Sequence, residues 1–134
     1  MRRSIVAIAT VIFALAGYDL THAEAPEIKQ VSVNGIKLTY QEQGRGRPIV
    51  LVHGAITDYR TWDGQREAVA AQNRFIALTM RYFGTDPWPD EGAKYSMKTH
   101  TDDLVAFIQN LNAGPADLVG WSYSGPIALL VAVQ

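Results

Sequence analysis

The chain has 134 residues, a formal net charge of −1, 48% hydrophobic residues and no cysteine. This length accommodates at most one small domain, and the hydrophobic content is ordinary for a globular protein. The absence of cysteine excludes disulfides and thiolate metal ligands, and the near-neutral charge argues against a nucleic-acid partner.

Residues 1–23 have the pattern of a secretory signal peptide. A positively charged start precedes a short apolar run over residues 5–17. Small residues at spacing two follow, and cleavage after Ala23 is favoured over cleavage after Ala25, where a proline would adjoin the scissile bond. The run is short for a membrane span, so cleavage is favoured over an uncleaved anchor. The sequence predicts a secreted or periplasmic protein with its domain over residues 24–134 and no stable membrane anchor.

The segment after the predicted signal has the pattern of a β-hairpin followed by buried strands. Alternating apolar and polar residues flank Asn34-Gly35, a pair that tolerates the positive φ angles of a type I′ turn. The aliphatic run over residues 49–52 indicates a strand that is covered on both faces. Residues 75–78 indicate a further strand.

Two helices are predicted between the strands. Residues 61–71 suit the first helix, with Trp62, Ala68 and Val69 as its inner face. The second helix starts with Ser96 as its N-cap and ends near residue 111. Its apolar residues recur at helical spacing and are Leu104, Phe107, Ile108 and Leu111.

A loop rich in glycine and proline is predicted over residues 81–95. It contains three aromatic residues, Tyr82, Phe83 and Trp88. Long aromatic loops often form the wall of a site. The two acidic residues of this loop, Asp86 and Asp90, are expected to be solvated.

A strand, a turn of small residues and a helix meet around Ser122. The apolar residues 116–119 lead into Gly120-Trp121-Ser122-Tyr123-Ser124, and an apolar helix follows. Such a nucleophile elbow exposes the serine hydroxyl and places the next N–H groups at a helix N-terminus. Gly120 and Ser124 occupy the two small-residue positions, although the second is usually glycine. Ser124 is less favoured as the nucleophile, and the alternative for Ser122 is a structural serine in a glycine-rich turn.

The residues after the strand at 49–52 have the features of an oxyanion loop. This loop is His53-Gly54-Ala55, and an oxyanion hole requires backbone N–H groups aimed at developing negative charge. The N–H groups of Ala55 and Tyr123 are the natural pair. His53 is interpreted as a structural residue that holds the loop by hydrogen bonds, while the general base is expected from another loop.

The remaining titratable residues indicate neither a metal site nor a cofactor. His100 is expected to be solvated on the second helix, and Asp102 and Asp103 are expected in its first turn, where negative charge suits the helix dipole. The three histidines are scattered, so the sequence predicts no metal site. It also has no phosphate loop and no dinucleotide-binding glycine motif.

Residues 28–134 resemble the N-terminal half of an α/β-hydrolase. The resemblance rests on the Asn34-Gly35 hairpin, the segment over residues 48–54, the Arg81-Tyr82-Phe83-Gly84 stretch and the elbow around Ser122. It implies a mostly parallel sheet that starts with an antiparallel hairpin, with the strand at 116–121 beside the strand at 49–52. It also implies that Ser122 is the nucleophile and that Ala55 and Tyr123 form the oxyanion hole, supported by His53, Gly54 and Gly120.

The resemblance implies a serine hydrolase that acts on a small-molecule ester or a similar acyl substrate. A serine at the nucleophile position argues against the dehalogenase and epoxide hydrolase branches, which use aspartate. The twelve residues after Ser122 contain no His, Asp or Glu. We therefore expect the chain to be a truncated, inactive form without the triad acid and histidine. The alternative is a non-catalytic ligand-binding protein on the same scaffold.

Overall fold

The fold is a five-stranded mixed sheet with helices on both faces. The computed structural model describes residues 25–134, so the predicted signal peptide at residues 1–23 lies outside the described residues. The strands are β1 (Glu27–Val33), β2 (Ile36–Gln43), β3 (Pro48–Val52), β4 (Arg74–Leu78) and β5 (Asp117–Gly120). The helices are α1 (Asp63–Ala70), α2 (Met97–Asn110) and α3 (Ser124–Ala132), and a 3-10 turn, Tyr59–Trp62, precedes α1.

The sheet begins antiparallel and becomes parallel after its first strands. Its spatial order is β1-β2-β4-β3-β5. Strand β2 is antiparallel to both β1 and β4, whereas β3 is parallel to β4 and to β5. The hairpin turn carries positive φ angles of 46° at Asn34 and 77° at Gly35, as the sequence predicts. This arrangement confirms the predicted partial α/β-hydrolase sheet and the placement of β5 beside β3.

Both faces of the sheet are covered, which explains the uninterrupted apolar sequence of β3. Val50 and Val52 belong to the larger core, which α2 and α3 cover with Leu104, Phe107 and Ile127. Leu51 faces the opposite side and packs with Phe75 and Ala77. Trp62, Val69 and Ala70 lie against this second cluster.

The prediction for the inner face of α1 was wrong at one position. Ala68 is exposed, and Ala70 contacts the sheet instead. The helix begins at Asp63, after a 3-10 turn. Because a 3-10 turn advances three residues per turn, it shifts the helical phase relative to one continuous α-helix.

Helix α2 begins as predicted at a serine cap. The Ser96 hydroxyl accepts a hydrogen bond from the Thr99 N–H at 3.1 Å, which satisfies one free donor of the first turn. The helix starts at Met97, so Asp102 and Asp103 lie in its second turn and not in its first. No helix within residues 25–134 is long and apolar enough to cross a membrane.

Candidate active site

The turn between β5 and α3 holds Ser122 in an unusual backbone conformation. Ser122 has a φ of 55°, in the left-handed region, and its side chain is exposed. A non-glycine residue in this region carries a penalty of about 1–2 kcal/mol. Surrounding hydrogen bonds hold the turn: the Trp121 N–H donates to the Val52 carbonyl at 3.1 Å, and the Gly125 N–H donates to the Ser122 carbonyl at 2.9 Å. Strain of this kind is typical of functional turns.

Gly120 is required because α3 starts directly against the end of β5. A Cβ atom at this position would lie 2.6 Å from the Ser124 carbonyl oxygen and 3.1 Å from the Ala128 Cβ. The first of these distances is far shorter than van der Waals contact, and the contacted atom belongs to the backbone. A side chain at position 120 would therefore displace the first turn of α3.

Ser124 has its hydroxyl in the interior, where it links the elbow to the central strand. The residue is fully buried. Its hydroxyl donates to the Val52 carbonyl at 2.7 Å and accepts from the Trp121 N–H at 2.8 Å. A serine at this position, where the motif usually has glycine, thus adds a second connection between β3 and the elbow. Its hydroxyl is inaccessible to a substrate.

His53 is a buried residue with both ring nitrogens engaged. Nε2 accepts from the Met80 N–H at 3.0 Å, and Nδ1 lies 2.6 Å from the Gly54 carbonyl, to which it donates as the protonated nitrogen. Burial lowers the pKa of His53, although the hydrogen bond to Gly54 opposes the shift. The ring is therefore neutral near pH 7 and fixes the loop that follows β3.

The loop after His53 lies against the elbow. A Cβ at Gly54 would lie 3.0 Å from the Trp121 ring and 3.2 Å from the Ser122 Cβ, so only glycine allows this approach without adjustment. Ala55 is exposed beside it. The backbone N–H groups of Ala55 and Tyr123 have no hydrogen-bond partner among the described residues. Two free donors thus belong to the two segments that meet at Ser122.

A cleft adjoins this loop. It has a volume of about 480 Å³, and Ala55 and Ile56 form part of its lining. Ile56 is 97% exposed and has a φ of 54°, an unfavourable combination for a β-branched residue. The lining also includes the aromatic residues Tyr82, Phe83 and Tyr95 and the polar residues Asp58 and Arg60. Of the three aromatic residues predicted in the loop over 81–95, Tyr82 and Phe83 line this cleft, whereas Trp88 packs against the larger core.

The prediction that His100 is solvated was wrong. His100 is only 1% exposed, and its Nδ1 lies 3.0 Å from the hydroxyl of Tyr123. Burial lowers its pKa, while the Arg81 backbone and the Asp103 charge oppose the shift. The sequence contained the signal: position 100 shares the helical spacing of Leu104 and Phe107, so it falls on the inner face of α2.

The expectation that Asp103 serves a helix dipole was also wrong. Its carboxylate is buried and pairs with Arg81, Nε to Oδ2 at 2.7 Å and Nη2 to Oδ1 at 2.9 Å. The Asn34 amide donates to the same Oδ1 at 2.9 Å. This buried pair connects the hairpin turn, the segment after β4 and helix α2. Asp102 remains at the surface and pairs with Lys98.

The two acidic residues of the loop are exposed, as expected, but they also accept hydrogen bonds. Asp90 accepts from the Tyr82 hydroxyl at 2.6 Å, and Asp86 accepts from the Thr39 hydroxyl at 3.5 Å. Over residues 25–134, no group of three or more potential metal ligands is placed to hold a metal ion.

Comparison with known proteins places the chain in a family. Residues 49–134 match the model of the "Alpha/beta hydrolase family". The chain is 32% identical over 114 residues to 2-hydroxymuconate semialdehyde hydrolase of Pseudomonas sp. (strain CF600), covering 82% of this chain and 40% of that protein. It is 34% identical over 119 residues to an epoxide hydrolase of Caballeronia sordidicola, covering 87% of this chain and 36% of that protein.

The solved structures give the same result for the fold. An epoxide hydrolase from an endophytic Streptomyces superposes with a TM-score of 0.75 at 29% identity, covering 83% of this chain and 34% of that one. The chain thus spans about 34–40% of the length of these three hydrolases. On the matched residues and the shared fold, the chain belongs to the alpha/beta hydrolase family.

Proposed function

We propose that Ser122 is the nucleophile of a serine hydrolase that cleaves an acyl ester or a similar small-molecule acyl substrate. The observation that carries the proposal is the exposed Ser122 at a φ of 55°, between β5 and α3 and against the Gly54 backbone. This geometry presents one hydroxyl at the edge of the sheet where the parallel strands end. Ligands of α/β sheets bind at that edge.

The two free N–H groups support the same chemistry. Attack by the Ser122 oxygen on a carbonyl carbon forms a C–O bond and moves the carbonyl π electrons onto oxygen. Donation by the N–H groups of Ala55 and Tyr123 would stabilise that oxyanion, and such donors typically contribute about 3–4 kcal/mol each. Collapse of the intermediate expels the alcohol, which takes the proton that the general base removed from the serine. Water then hydrolyses the acyl-serine.

The general base is proposed to come from outside residues 25–134. A serine hydroxyl needs a neighbouring base to become nucleophilic. His53 has both nitrogens engaged, and His100 is bonded to the Tyr123 hydroxyl. Neither histidine forms a hydrogen bond with Ser122 in the described part of the chain. We therefore propose that the 134-residue chain by itself has little esterase activity and that the whole protein supplies the triad acid and histidine.

The residue at position 122 selects among the chemistries of the relatives. One similar protein is named as a semialdehyde hydrolase and another as an epoxide hydrolase, so similarity alone leaves both open. A serine forms an acyl-enzyme with a carbonyl substrate, which favours acyl chemistry. The cleft beside Ala55, with its aromatic wall, offers space for the organic part of such a substrate.

We propose that this hydrolase acts after export, on the basis of the signal-peptide pattern of residues 1–23. N-terminal sequencing of the exported form should begin at Glu24. A protein that retains Met1 in the cytosol would contradict the proposal.

The catalytic proposal is tested by labelling with a fluorophosphonate probe, which reacts with activated serines. The full-length protein from the natural source should be labelled at Ser122, the Ser124→Ala variant should retain the label, and Ser122→Ala should lose it. The 134-residue chain should react far more slowly. A folded full-length protein that is not labelled would contradict the proposal and favour the non-catalytic binding protein.

A further inference from the structure

The side chain of Tyr123 is half-buried and bonded to helix α2, although its backbone belongs to the elbow. Its hydroxyl lies 3.0 Å from Nδ1 of His100, on helix α2. The rings of Phe83 and Tyr95 also contact it, with centroid distances of 5.9 and 6.0 Å. We call Phe83, Tyr95, His100 and Tyr123 the aromatic cluster.

The side chain of His100 forms a hydrogen bond through Nδ1 to the Tyr123 hydroxyl. Its Nε2 is buried and has no such partner among residues 25–134. A buried polar ring is retained at a cost unless it is hydrogen-bonded. The Tyr123 hydroxyl satisfies Nδ1 of this histidine, and the bond between the two side chains restrains the position of the tyrosine.

The protonation states of this pair suit a fixed hydrogen bond. Burial lowers the pKa of His100, so its ring is neutral near pH 7. Burial, together with a hydrogen bond involving Tyr95, raises the pKa of Tyr123 to about 12, so its hydroxyl remains protonated near neutral pH. Neither group changes charge near neutral pH, and the bond is therefore a constant feature of the elbow.

The aromatic cluster also contacts the residue that holds the oxyanion loop. The Phe83 ring lies 5.0 Å from the His53 ring and 5.8 Å from the His100 ring. His53 fixes the Gly54 carbonyl next to Ala55, and His100 fixes the Tyr123 side chain. Phe83 thus stands between two histidines, each of which holds one of the segments that carry a free N–H group.

We infer that His100 is a positioning residue for the active site, and that it acts through the Tyr123 hydroxyl to aim the Tyr123 backbone N–H at the oxyanion. This inference rests on the proposed function. A donor must lie within about 2.7–3.1 Å of the oxyanion to be effective, so a small rotation of Tyr123 weakens it. Tyr123 makes no side-chain cap at the start of α3. Its side chain in the cluster therefore restrains this residue in addition to the backbone hydrogen bonds of Trp121 and Gly125 that hold the turn.

The test combines kinetics and NMR on the full-length protein. Tyr123→Phe removes the hydroxyl, His100→Leu removes the ring that bonds to it, and His100→Asn retains a polar group near Nδ1. Steady-state hydrolysis of a p-nitrophenyl ester gives kcat and KM, and ¹H–¹⁵N spectra report the Tyr123 amide. Phe107→Leu is the control. Phe107 is buried on the same face of α2 and lies outside the aromatic cluster, so its substitution should lower stability without changing the cluster.

The inference predicts a loss of about tenfold in kcat for Tyr123→Phe and for His100→Leu, with KM within about twofold, since mispositioning a donor costs less than removing it. The double variant Tyr123→Phe/His100→Leu should lose no more kcat than either single variant, and His100→Asn should retain most of the wild-type rate. The chemical shift of the Tyr123 amide should change in proportion to the rate. Unchanged kcat, or an equal loss in Phe107→Leu, would overturn it. A wild-type protein without activity would refute the proposed function. In that case, a Tyr123 amide signal that does not shift in the His100 and Tyr123 variants would refute the positioning role separately.

Discussion

Removal of the Asp103 carboxylate is expected to be among the most damaging single changes outside the elbow. Asp103 and Arg81 each have only 5% of their side chain exposed, and the pair is joined by two hydrogen bonds at 2.7 and 2.9 Å. Asp103→Ala leaves the guanidinium buried without a counter-charge and leaves the Asn34 amide without its acceptor. Loss of one partner of a buried ion pair costs about 3–5 kcal/mol. At about 4 °C per kcal/mol, Tm should fall by roughly 12–20 °C.

The neighbouring Asp102 provides a matched control on the same helix. Its pair with Lys98 is exposed, with 83% of the lysine side chain accessible, so Asp102→Ala should change stability by at most about 1 kcal/mol. Urea unfolding followed by circular dichroism would give both free energies. The double variant Arg81→Leu/Asp103→Leu should be less damaged than the sum of the two single changes, because no unpaired charge remains. Equal effects of Asp103→Ala and Asp102→Ala would refute the reasoning.

Three further changes test other parts of the fold. Gly120→Ala should destabilise the protein by about 2–3 kcal/mol in urea unfolding, because the Ser124 backbone must move. Gly125→Ala should not destabilise it, because the space around Gly125 is open. Equal effects of the two substitutions would contradict this explanation. Ser124→Ala should cost about 1–2 kcal/mol and retain the fold, since Trp121 still donates directly to β3, and an unfolded variant would contradict this. Burial alone would raise the pKa of Glu42, but hydrogen bonds from Arg74 and Lys29 outweigh burial and lower it. The stabilisation of the fold by ionised Glu42 is therefore present above the usual pKa range of glutamate and is lost on acidification. Glu42→Gln should reduce the fall in the free energy of unfolding at acidic pH. An unchanged fall would refute the role given to Glu42.

The features that were predicted correctly from the sequence are encoded locally. The Asn34-Gly35 turn, the aliphatic run of β3 and the cap at Ser96 each depend on a few adjacent residues. The elbow around Ser122 is local as well, because small residues on either side of one serine permit the turn. Local patterns of this kind give the order of the elements and the place of the candidate nucleophile.

The features that were predicted wrongly depend on partners far away in the chain. His100 and Asp103 are polar residues on a helix, and polar residues are exposed by default. Their burial is set by Tyr123, Arg81 and Asn34, which lie 23, 22 and 69 residues away. Helical spacing marks position 100 as inward-facing, but only the fold supplies the hydroxyl that makes a buried histidine acceptable there.

The candidate site forms because three parallel strands end at one edge of the sheet. Strand β3 lies between β4 and β5, so the segments after all three strands converge. His53 follows β3 and accepts from Met80, just after β4, while the turn after β5 is bonded back to Val52 of β3 by Trp121 and Ser124. Each segment is thus held by a neighbouring strand end. The strained serine at position 122 is retained because its surroundings are fixed from both sides, and aligned donors require the same rigidity.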